Sequence, residues 1–435
     1  MLAACSDYAS RPIDTSVDPA GAAGGVAGAG TVGAPAAPAA GAAGVSTSSP
    51  TTEGNPTPAG LAGAANVGAG AGAATAAGAD AGLDPGLAGA GGSDPGTVAT
   101  RGAGPCDIYA SANTPCVAAY SMVRALSSTY DGPLYQVRRG APNPTQNTGV
   151  GGETQDIGLL PNGFADGAAQ IAFCGNQSCS VSTLYDQSGR GNHITVAKRG
   201  RADGGQFGDD DDFESNASAG PLSVGGNAVF SLYMEARQGY RQTFAGNGMP
   251  LGQAPQGVYM LADGTRTGTA CCWDFGNVTT DPTAYATMNT LFFGTAFWGR
   301  GAGAGPWFMA DFEAGVWAGG SNPGDPGWGA LGDPAPINPA NPSLRARFAV
   351  GFLKTANTYA LRMADLESAT DLTTAYEGPL PKPMDNRGAV VLGVGGDNSN
   401  NSFGTFFEGA IVAGYPSNEV ERTILQNIQA AGYGQ

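Results

Sequence analysis

Short apolar runs separated by turn residues most constrain how this chain can fold. Beyond residue 102, glycine, asparagine, aspartate and proline recur roughly every 8–12 residues. Runs of this length are typical of the strands of a β-sandwich. The candidate strands are residues 258–262, 308–312, 348–353, 359–363, 389–394 and 405–412. We therefore predict an all-β fold, a two-sheet sandwich with a few short helices.

Two segments are predicted to be helical, residues 117–126 and residues 418–431. In the second segment Ser417 is the expected N-cap, and apolar residues recur at every fourth position from Val420. One face of that helix is therefore expected to pack on the sandwich.

The first 101 residues have a different composition from the rest. Alanine, glycine, proline, serine and threonine dominate them, and no aromatic residue follows Tyr8. Such a segment cannot bury enough apolar surface to offset its conformational entropy. We therefore predict a disordered tether over residues 1–101 and one large domain over residues 102–435.

The chain begins with a lipobox-like sequence. Leu2, Ala3, Ala4 and Cys5 resemble the site at which bacterial lipoproteins are cleaved and lipidated, although the preceding signal region is incomplete. A long tether after a lipidated Cys5 would suit a surface lipoprotein, and a chance match in alanine-rich sequence is the alternative.

Charge and hydropathy narrow the possible partners. The formal net charge is -16, and acids exceed the single base Arg11 by six within the first hundred residues. An acidic domain lacks the positive charge that attracts nucleic acid or anionic lipid, and it suits a neutral substrate. No segment approaches the ~20 apolar residues of a transmembrane helix. Membrane attachment is expected only through a lipid on Cys5, and the domain is expected to be a monomer.

The cysteines of the domain fall into close pairs without accompanying histidines. His193 is the only histidine, which argues against a zinc site or a catalytic triad. Close pairs predict disulfides and hence an extracellular or cell-surface location, with buried free thiols as the alternative. The six cysteines are Cys106, Cys116, Cys174, Cys179, Cys271 and Cys272.

Cys271 and Cys272 are adjacent. Neighbouring Cα atoms lie ~3.8 Å apart across a trans peptide, below the usual disulfide range of ~4.4–6.8 Å. A bridge between them requires a distorted or flipped peptide and would form a rigid apolar knob. The alternative is two unbridged cysteines on opposite faces of a strand.

Residues 307–313 show the alternation of a strand. Trp307, Asp311 and Glu313 share one face with Met309, and the other face is apolar. Crowded carboxyl groups raise at least one pKa, which suits acid/base or nucleophilic chemistry, and a tryptophan beside them could stack on a sugar. An ordinary exposed polar face is the alternative.

A second candidate acid, Asp397, follows a glycine-rich strand end at residues 393–396. Glycines allow close backbone approach to a ligand, although the residues alone favour an Asx turn as the explanation of an aspartate here.

Two other features are weaker indications of a ligand site. The glycine-rich residues 298–306 lack the helix that a phosphate site requires. The acidic run 209–212 lacks EF-hand spacing and is predicted to be a solvated loop.

Five segments together resemble the catalytic domain of glycoside hydrolase family 54, the α-L-arabinofuranosidases. They are GPCDIYASANTPCVAAYS, TLYDQSGRGNH, ACCWDFGN, GAGPWFMADFE and LGVGGDNSNNSFGTFFEGAIVAGYPS. The resemblance runs from about Gly104 to Tyr433 and implies a concanavalin-like β-sandwich with its site on the concave face.

The resemblance also implies residue roles. Glu313 matches the family's nucleophile and Asp397 its acid/base. The positions matching substrate contacts are Asp311, Trp298, Gly396, Asn398 and the vicinal disulfide Cys271–Cys272. The other implied disulfides are Cys106–Cys116 and Cys174–Cys179. No metal or cofactor is expected.

The chain departs from the family pattern at two places. Ala314 and Gly315 stand where the family carries two asparagines after the nucleophile, which puts contacts to the sugar hydroxyls in doubt. The C-terminal arabinose-binding module of the family is not expected in this chain.

The expected function is retaining, exo-acting release of terminal arabinofuranose from arabinan or arabinoxylan. The alternatives are a non-catalytic concanavalin-like carbohydrate-binding surface protein and a related exo-glycosidase such as a β-xylosidase.

Overall fold

The structure is a computed structural model that describes residues 101–201, 210–284, 287–295, 299–312, 315–322, 325 and 336–435. The predicted tether and Cys5 lie outside the described residues, apart from the last tether residue, Arg101. Within the described residues no helix is long and apolar enough to cross a membrane.

The described helices are short and few. They are α1 (Pro105–Ser111), α2 (Gly167–Cys174) and α3 (Asn418–Ala430). The strands are β1 (Cys116–Ser121), β2 (Tyr135–Arg139), β3 (Glu153–Ile157), β4 (Cys179–Leu184), β5 (Ile194–Val196), β6 (Ser215–Asn216), β7 (Pro221–Val224), β8 (Asn227–Phe230), β9 (Leu232–Met234), β10 (Tyr240–Arg241), β11 (Gln256–Ala262), β12 (Asp274–Val278), β13 (Met288–Gly294), β14 (Arg300–Gly301), β15 (Trp307–Phe312), β16 (Gly315–Trp317), β17 (Ile337–Asn338), β18 (Ala349–Thr355), β19 (Thr358–Asp365), β20 (Thr373–Pro379), β21 (Ala389–Leu392) and β22 (Gly404–Ala413).

Two antiparallel sheets form the sandwich. The larger sheet has the order β16-β15-β13-β12-β21-β10-β5-β4-β2-β3, with β6 beside β4. The smaller sheet has the order β1-β22-β11-β18-β19-β20, with β9 beside β22. Two-stranded ribbons β7–β8 and β14–β17 lie outside these sheets. The predicted β-sandwich is confirmed.

Aromatic side chains from the two sheets meet in a single main core. Phe275 on β12 packs against Tyr120 on β1 and Phe406 on β22, with ring centroids 6.1 and 5.6 Å away. Phe312 on β15 meets Tyr359 on β19 edge-on at 5.2 Å. Because rings from both sheets interlock in this way, one face of the larger sheet is committed to the core. The opposite face of that sheet is left to carry a site.

The predicted helix over residues 117–126 is wrong. Residues Cys116–Ser121 form strand β1, which pairs with β22 from Cys116 to Ser121, and every residue of the strand is buried. A strand buried on both faces loses the polar alternation that distinguishes it from a short buried helix. Its pairing in the sheet, not its local pattern, decides its structure.

The C-terminal helix is confirmed as α3. The Ser417 hydroxyl accepts a hydrogen bond from the Val420 amide, as expected of an N-cap. On its inner face Ile424 and Ile428 are fully buried in the main core. Glu421 on the same face is buried against Lys354 and Arg362, at 3.1 and 2.7 Å, so α3 is fixed by apolar and ionic contacts together.

Three disulfides form among the described cysteines. Cys106–Cys116 joins α1 to β1 and Cys174–Cys179 joins α2 to β4, with Cα atoms 5.4 and 5.6 Å apart. The third bridge joins Cys271 to Cys272. The six cysteines are therefore paired as the sequence resemblance implied.

Candidate active site

Strand β15 alternates as predicted. Phe308, Ala310 and Phe312 belong to the main core between the sheets. Asp311 lies on the opposite face and is 5% exposed. The strand therefore turns a carboxyl group away from the core, toward the face on which a site can form.

Trp307 is not the sugar platform that its position suggested. It is 2% exposed, and its indole Nε1 donates a 2.8 Å hydrogen bond to the carbonyl oxygen of Ala302. It packs with Met309 and the two adjacent cysteines in a small apolar cluster under the site face. Its ring has no exposed face, so the suggestion is wrong.

A second buried acid, Asp274, lies beside Asp311. It opens β12 opposite Phe292 of β13, while Asp311 of β15 lies opposite Thr290. Because these partners are two residues apart on β13, both acids project to one side of the sheet. A carboxyl oxygen of each acid and the sulfur of Cys272 lie within 4.8 Å of one another. Sequence reasoning missed Asp274, since only strand register brings it here.

Burial gives this acid pair unusual protonation. Burial, followed by the nearby Asp397 carboxylate, raises the pKa of Asp311 to about 8. Burial and the charge of Asp311 raise the pKa of Asp274 well above its ordinary value. Neither oxygen of Asp274 has a hydrogen-bond partner of good geometry among the described residues. We infer that this pair holds at least one proton at neutral pH, since two like charges so close cannot both be desolvated.

The same cluster is a poor candidate for a metal centre. Its three members are Cys272, Asp274 and Asp311. Cys272 is bridged to its neighbour, so its sulfur cannot serve as a thiolate ligand. Two carboxyl groups with raised pKa values remain, and their protons would compete with a cation.

The vicinal disulfide lies between the acid pair and the Asp397 loop, which we define as residues 393–401. Cys272 Sγ is 3.9 Å from Asp311 Oδ2, and the peptide bond between the two cysteines is cis. A Cβ built on Gly395 would lie 3.3 Å from that sulfur. The Cys272 amide also donates to the carbonyl oxygen of Ser399 at 3.3 Å. The disulfide thus contacts both Asp311 of the acid pair and the Asp397 loop.

Asp397 is the partly exposed acid of this face. Its Oδ1 accepts a 3.0 Å hydrogen bond from the Ser399 amide and a second bond from the Ser399 hydroxyl. The Asx turn that the sequence left open does form. Among the described residues both hydrogen bonds to the side chain fall on Oδ1, so Oδ2 is the oxygen free to meet a ligand. The turn and a catalytic role are therefore compatible.

A buried arginine supports the Asp397 loop from behind. Arg241 Nη1 donates to the Gly396 carbonyl oxygen at 2.7 Å, and its Nη2 donates to the Thr279 carbonyl oxygen at 2.6 Å. Burial lowers the pKa of Arg241 to about 10, and Asp397 opposes that shift. The loop is thereby tied to β10, whose two residues gave no signal in the sequence.

Asn398 points into the protein. It is fully buried at φ +68°, and its Nδ2 donates to Asp212 Oδ1 at 3.2 Å. The side chain is thus held by an internal partner, and the contact of Asn398 with substrate stays a prediction. Asp212 belongs to the acidic run predicted to be solvated, and its complete burial shows that prediction to be wrong for this residue.

Three sequence-predicted positions, Trp298, Glu313 and Ala314, lie outside the described residues. Strand β15 ends at Phe312, directly before Glu313 and Ala314 in the sequence. Their roles stay predictions.

The fold and the site together define a class. Two antiparallel sheets stack around the main core, and acids from β12, β15 and the Asp397 loop gather beside a disulfide on the face of the larger sheet that points away from that core. This is a β-sandwich protein with a carboxyl-lined site.

The particular family follows from comparison with known proteins. The family described as alpha-L-arabinofuranosidase B, catalytic, matches residues 105–434. The chain belongs to this family.

Curated relatives and solved structures agree. The chain is 41% identical over 335 residues to "Alpha-L-arabinofuranosidase" of Hypocrea jecorina and to "Arabinofuranosidase/B-xylosidase" of Trichoderma koningii, covering 75% of this chain and 62% of each relative. The chain thus spans under two thirds of these relatives' length. A crystal structure of arabinofuranosidase complexed with arabinofuranosyl-alpha-1,2-xylobiose has a TM-score of 0.67 and 37% identity, covering 76% of this chain and 65% of that one.

Proposed function

We propose that this chain is a retaining, exo-acting α-L-arabinofuranosidase that releases terminal arabinofuranose from arabinan or arabinoxylan side chains. The observation that carries the proposal is the placement of Asp311 and Asp397 on one face, on either side of the vicinal disulfide, in a chain of this family. Acids held at different exposure next to a rigid apolar surface suit the recognition and cleavage of a neutral sugar.

The proposed reaction has two steps. In the first, the Glu313 carboxylate attacks the anomeric carbon while Asp397 gives its proton to the departing glycosidic oxygen. In the second, the Asp397 carboxylate takes a proton from water, and the water oxygen attacks the anomeric carbon and displaces Glu313. Glu313 leaves as a carboxylate, and Asp397 is protonated again. Retention requires the two carboxyl groups to lie ~5–5.5 Å apart.

Asp311 fits a supporting role in this scheme. A carboxyl group whose pKa is raised to about 8 by burial and by Asp397 is protonated at neutral pH. A protonated carboxyl group can donate a hydrogen bond, which an ionised one cannot. We propose that Asp311 donates either to a sugar hydroxyl or to Glu313.

Substrate choice has one specific rival. The relative from Trichoderma koningii is named for both arabinofuranosidase and β-xylosidase. Comparing release of para-nitrophenol from the α-L-arabinofuranoside and the β-D-xyloside separates the two activities. We expect the arabinofuranoside to be cleaved with the higher kcat/KM, and a preference for the xyloside would contradict the proposal.

The catalytic pair is tested by substitution. Glu313→Gln is expected to abolish turnover with an unchanged Tm, since it removes only the nucleophilic charge. Asp397→Gly is expected to lose activity and to recover part of it with azide on activated aryl substrates. Full activity in Glu313→Gln would refute the assignment, and sugar binding without hydrolysis by the wild type would instead indicate a carbohydrate-binding surface protein.

We infer an extracellular or cell-surface location from the three disulfides, because such bridges persist in oxidising compartments. Lipid attachment at Cys5, the monomeric state and the tether over residues 1–101 stay predictions. Mass spectrometry of the N-terminal peptide from the native host would show whether Cys5 carries a lipid.

A further inference from the structure

Besides Arg241, a buried carboxyl group holds the Asp397 loop from its inner side. Asp212 is fully buried, and its Oδ1 accepts a hydrogen bond from Asn398 Nδ2 at 3.2 Å and another from Asn400 Nδ2. These two asparagines stand one and three residues after Asp397. One oxygen atom therefore fixes the chain immediately behind the proposed acid/base.

Main-chain hydrogen bonds connect the segment around Asp212 to the sheet and, through Arg237, to the Asp397 loop. The Asp212 amide donates to the Ala197 carbonyl oxygen at 3.0 Å, and the Ala197 amide donates to the Gly239 carbonyl oxygen at 2.8 Å. The Arg237 amide donates to the Asn400 carbonyl oxygen at 2.8 Å. The main chain of Asp212 is thus held next to Ala197, which follows β5, and near Gly239, which precedes β10. Its side chain contacts the loop from this fixed position.

The neighbouring acids of the run behave differently. Asp210 pairs with Arg237 at 3.1 Å and Asp211 with Lys198 at 3.0 Å, both at the surface. Surface pairs of this kind contribute little to stability. Of the three acids of the run that the structure describes, only Asp212 turns inward. A buried carboxyl group costs free energy unless its partners compensate for the lost hydration.

The two carboxyl oxygens of Asp212 also differ in their hydrogen bonds. Burial raises the pKa of Asp212 to about 7, while hydrogen bonds from Asn400 and Asn398 and the charge of Arg237 pull it down. Its Oδ2 has no hydrogen-bond partner of good geometry among the described residues. Its hydrogen bonds from side chains thus both come from the Asp397 loop.

We propose that Asp212 is a positioning residue for catalysis, which holds Asp397 in place through Asn398 and Asn400. This inference rests on the proposed acid/base role of Asp397. Asp212 itself has no exposed surface and touches no substrate; it acts only through the loop. Displacing a catalytic group by about 1 Å can cost on the order of a hundredfold in rate.

The test compares leaving groups, because a general acid matters most when the leaving group is poor. Asp212→Ala is expected to lower kcat/KM, which reports the first step, roughly 10–100-fold on the phenyl α-L-arabinofuranoside and to affect the para-nitrophenyl substrate less. Asp212→Asn keeps one acceptor oxygen and is expected to recover most of the loss. Asp211→Asn, a substitution of the adjacent surface acid, is the matched control and is expected to behave like the wild type.

A double variant distinguishes positioning from general damage. If Asp212 acts through Asp397, Asp212→Ala added to Asp397→Gly is expected to cause no further loss, because the group it positions is already absent. An additive loss, or an equal loss of kcat/KM on both leaving groups, would overturn the inference. Should Asp397→Gly itself show no leaving-group dependence and no azide rescue, the proposed function fails and the inference with it.

A second variant serves as the control for misfolding of Asp212→Ala. Asn400→Ala removes one of the two amide donors and leaves Asp212 in place, so it is expected to give the same leaving-group pattern at smaller amplitude. The Tm of every variant is measured alongside. If Asp212→Ala and Asn400→Ala both fail to fold, the role of Asp212 is structural and the proposal is overturned.

Discussion

Replacing Asp311 by asparagine is expected to flatten the pH dependence of stability. Burial and Asp397 raise the pKa of Asp311 to about 8 in the folded protein, against roughly 3.9 in an unfolded chain. Between these values the folded state binds one more proton than the unfolded state. The free energy of unfolding therefore falls as pH rises through this window.

The size of the effect follows from proton linkage. One extra proton in the folded state changes the free energy of unfolding by about 1.4 kcal/mol per pH unit. From about pH 5 to about pH 8, one proton held in this way corresponds to a loss of up to roughly 4 kcal/mol. Asp311→Asn has no proton to lose at this position, so its slope is expected to be shallower by up to about 1.4 kcal/mol per pH unit.

Guanidinium denaturation with intact disulfides, repeated at each pH unit in this window, measures the slope. Asp385→Asn, which removes an exposed acid paired with Arg387, is the control and is expected to retain the wild-type slope. A residual slope is expected in all three proteins, because Asp274 and Asp212 also have raised pKa values. Identical slopes for the wild type and Asp311→Asn would refute the protonated state of Asp311.

Three further predictions follow from the same geometry. Replacing Cys271 and Cys272 together by alanine is expected to raise KM about tenfold with little change in Tm, because a bridge between neighbours closes almost no loop; steady-state kinetics and calorimetry on the same samples check this. Gly200→Ala would place a Cβ 2.3 Å from the Asp397 carbonyl oxygen, so we expect kcat to fall and about 1–3 kcal/mol of stability to be lost in denaturation. A chain starting at Gly102 is expected to equal the full chain in Tm and in turnover of small aryl substrates, and a large loss in either would show that the preceding residues dock on the domain.

The sequence predicted what depends on local alternation. The period of two in residues 307–312 correctly separated the core face of β15 from the face that carries Asp311. The N-cap and the four-residue spacing correctly predicted α3. Each of these patterns is decided by neighbours within a few positions, so one sequence contains the necessary information.

Features that depend on pairing between distant segments could not be predicted in this way. The acid in Trp273-Asp274-Phe275 is ordinary in sequence, and only its place on β12, which β13 alone separates from β15, brings it to Asp311. Asp212 ends a run of acids that composition predicts to be solvated. Its burial results from contact with residues almost two hundred positions later, which no local pattern contains.

Two helices were missed although their capping signals are present. Helix α1 begins with Pro105, and the Asp107 side chain accepts a 2.8 Å hydrogen bond from the Gly104 amide. Helix α2 is capped by Asp166, which accepts from the Ala169 amide at 2.9 Å. Both helices are shorter than the lengths at which periodicity becomes informative, so only their caps could have predicted them.

Strand adjacency explains why the site forms where it does. Strands β12 and β21 are antiparallel neighbours, pairing from Phe275 with Leu392 to Val278 with Ala389. The start of β12 and the end of β21 therefore lie side by side at the same end of the two strands. This brings the vicinal disulfide, which precedes β12, against the loop that follows β21. Since β10 pairs with β21 on its other side, Arg241 and the segment around Asp212 reach the back of that loop. The acid/base candidate is consequently held from two sides by elements far apart in sequence, and a change in either is expected to alter catalysis before it alters the fold.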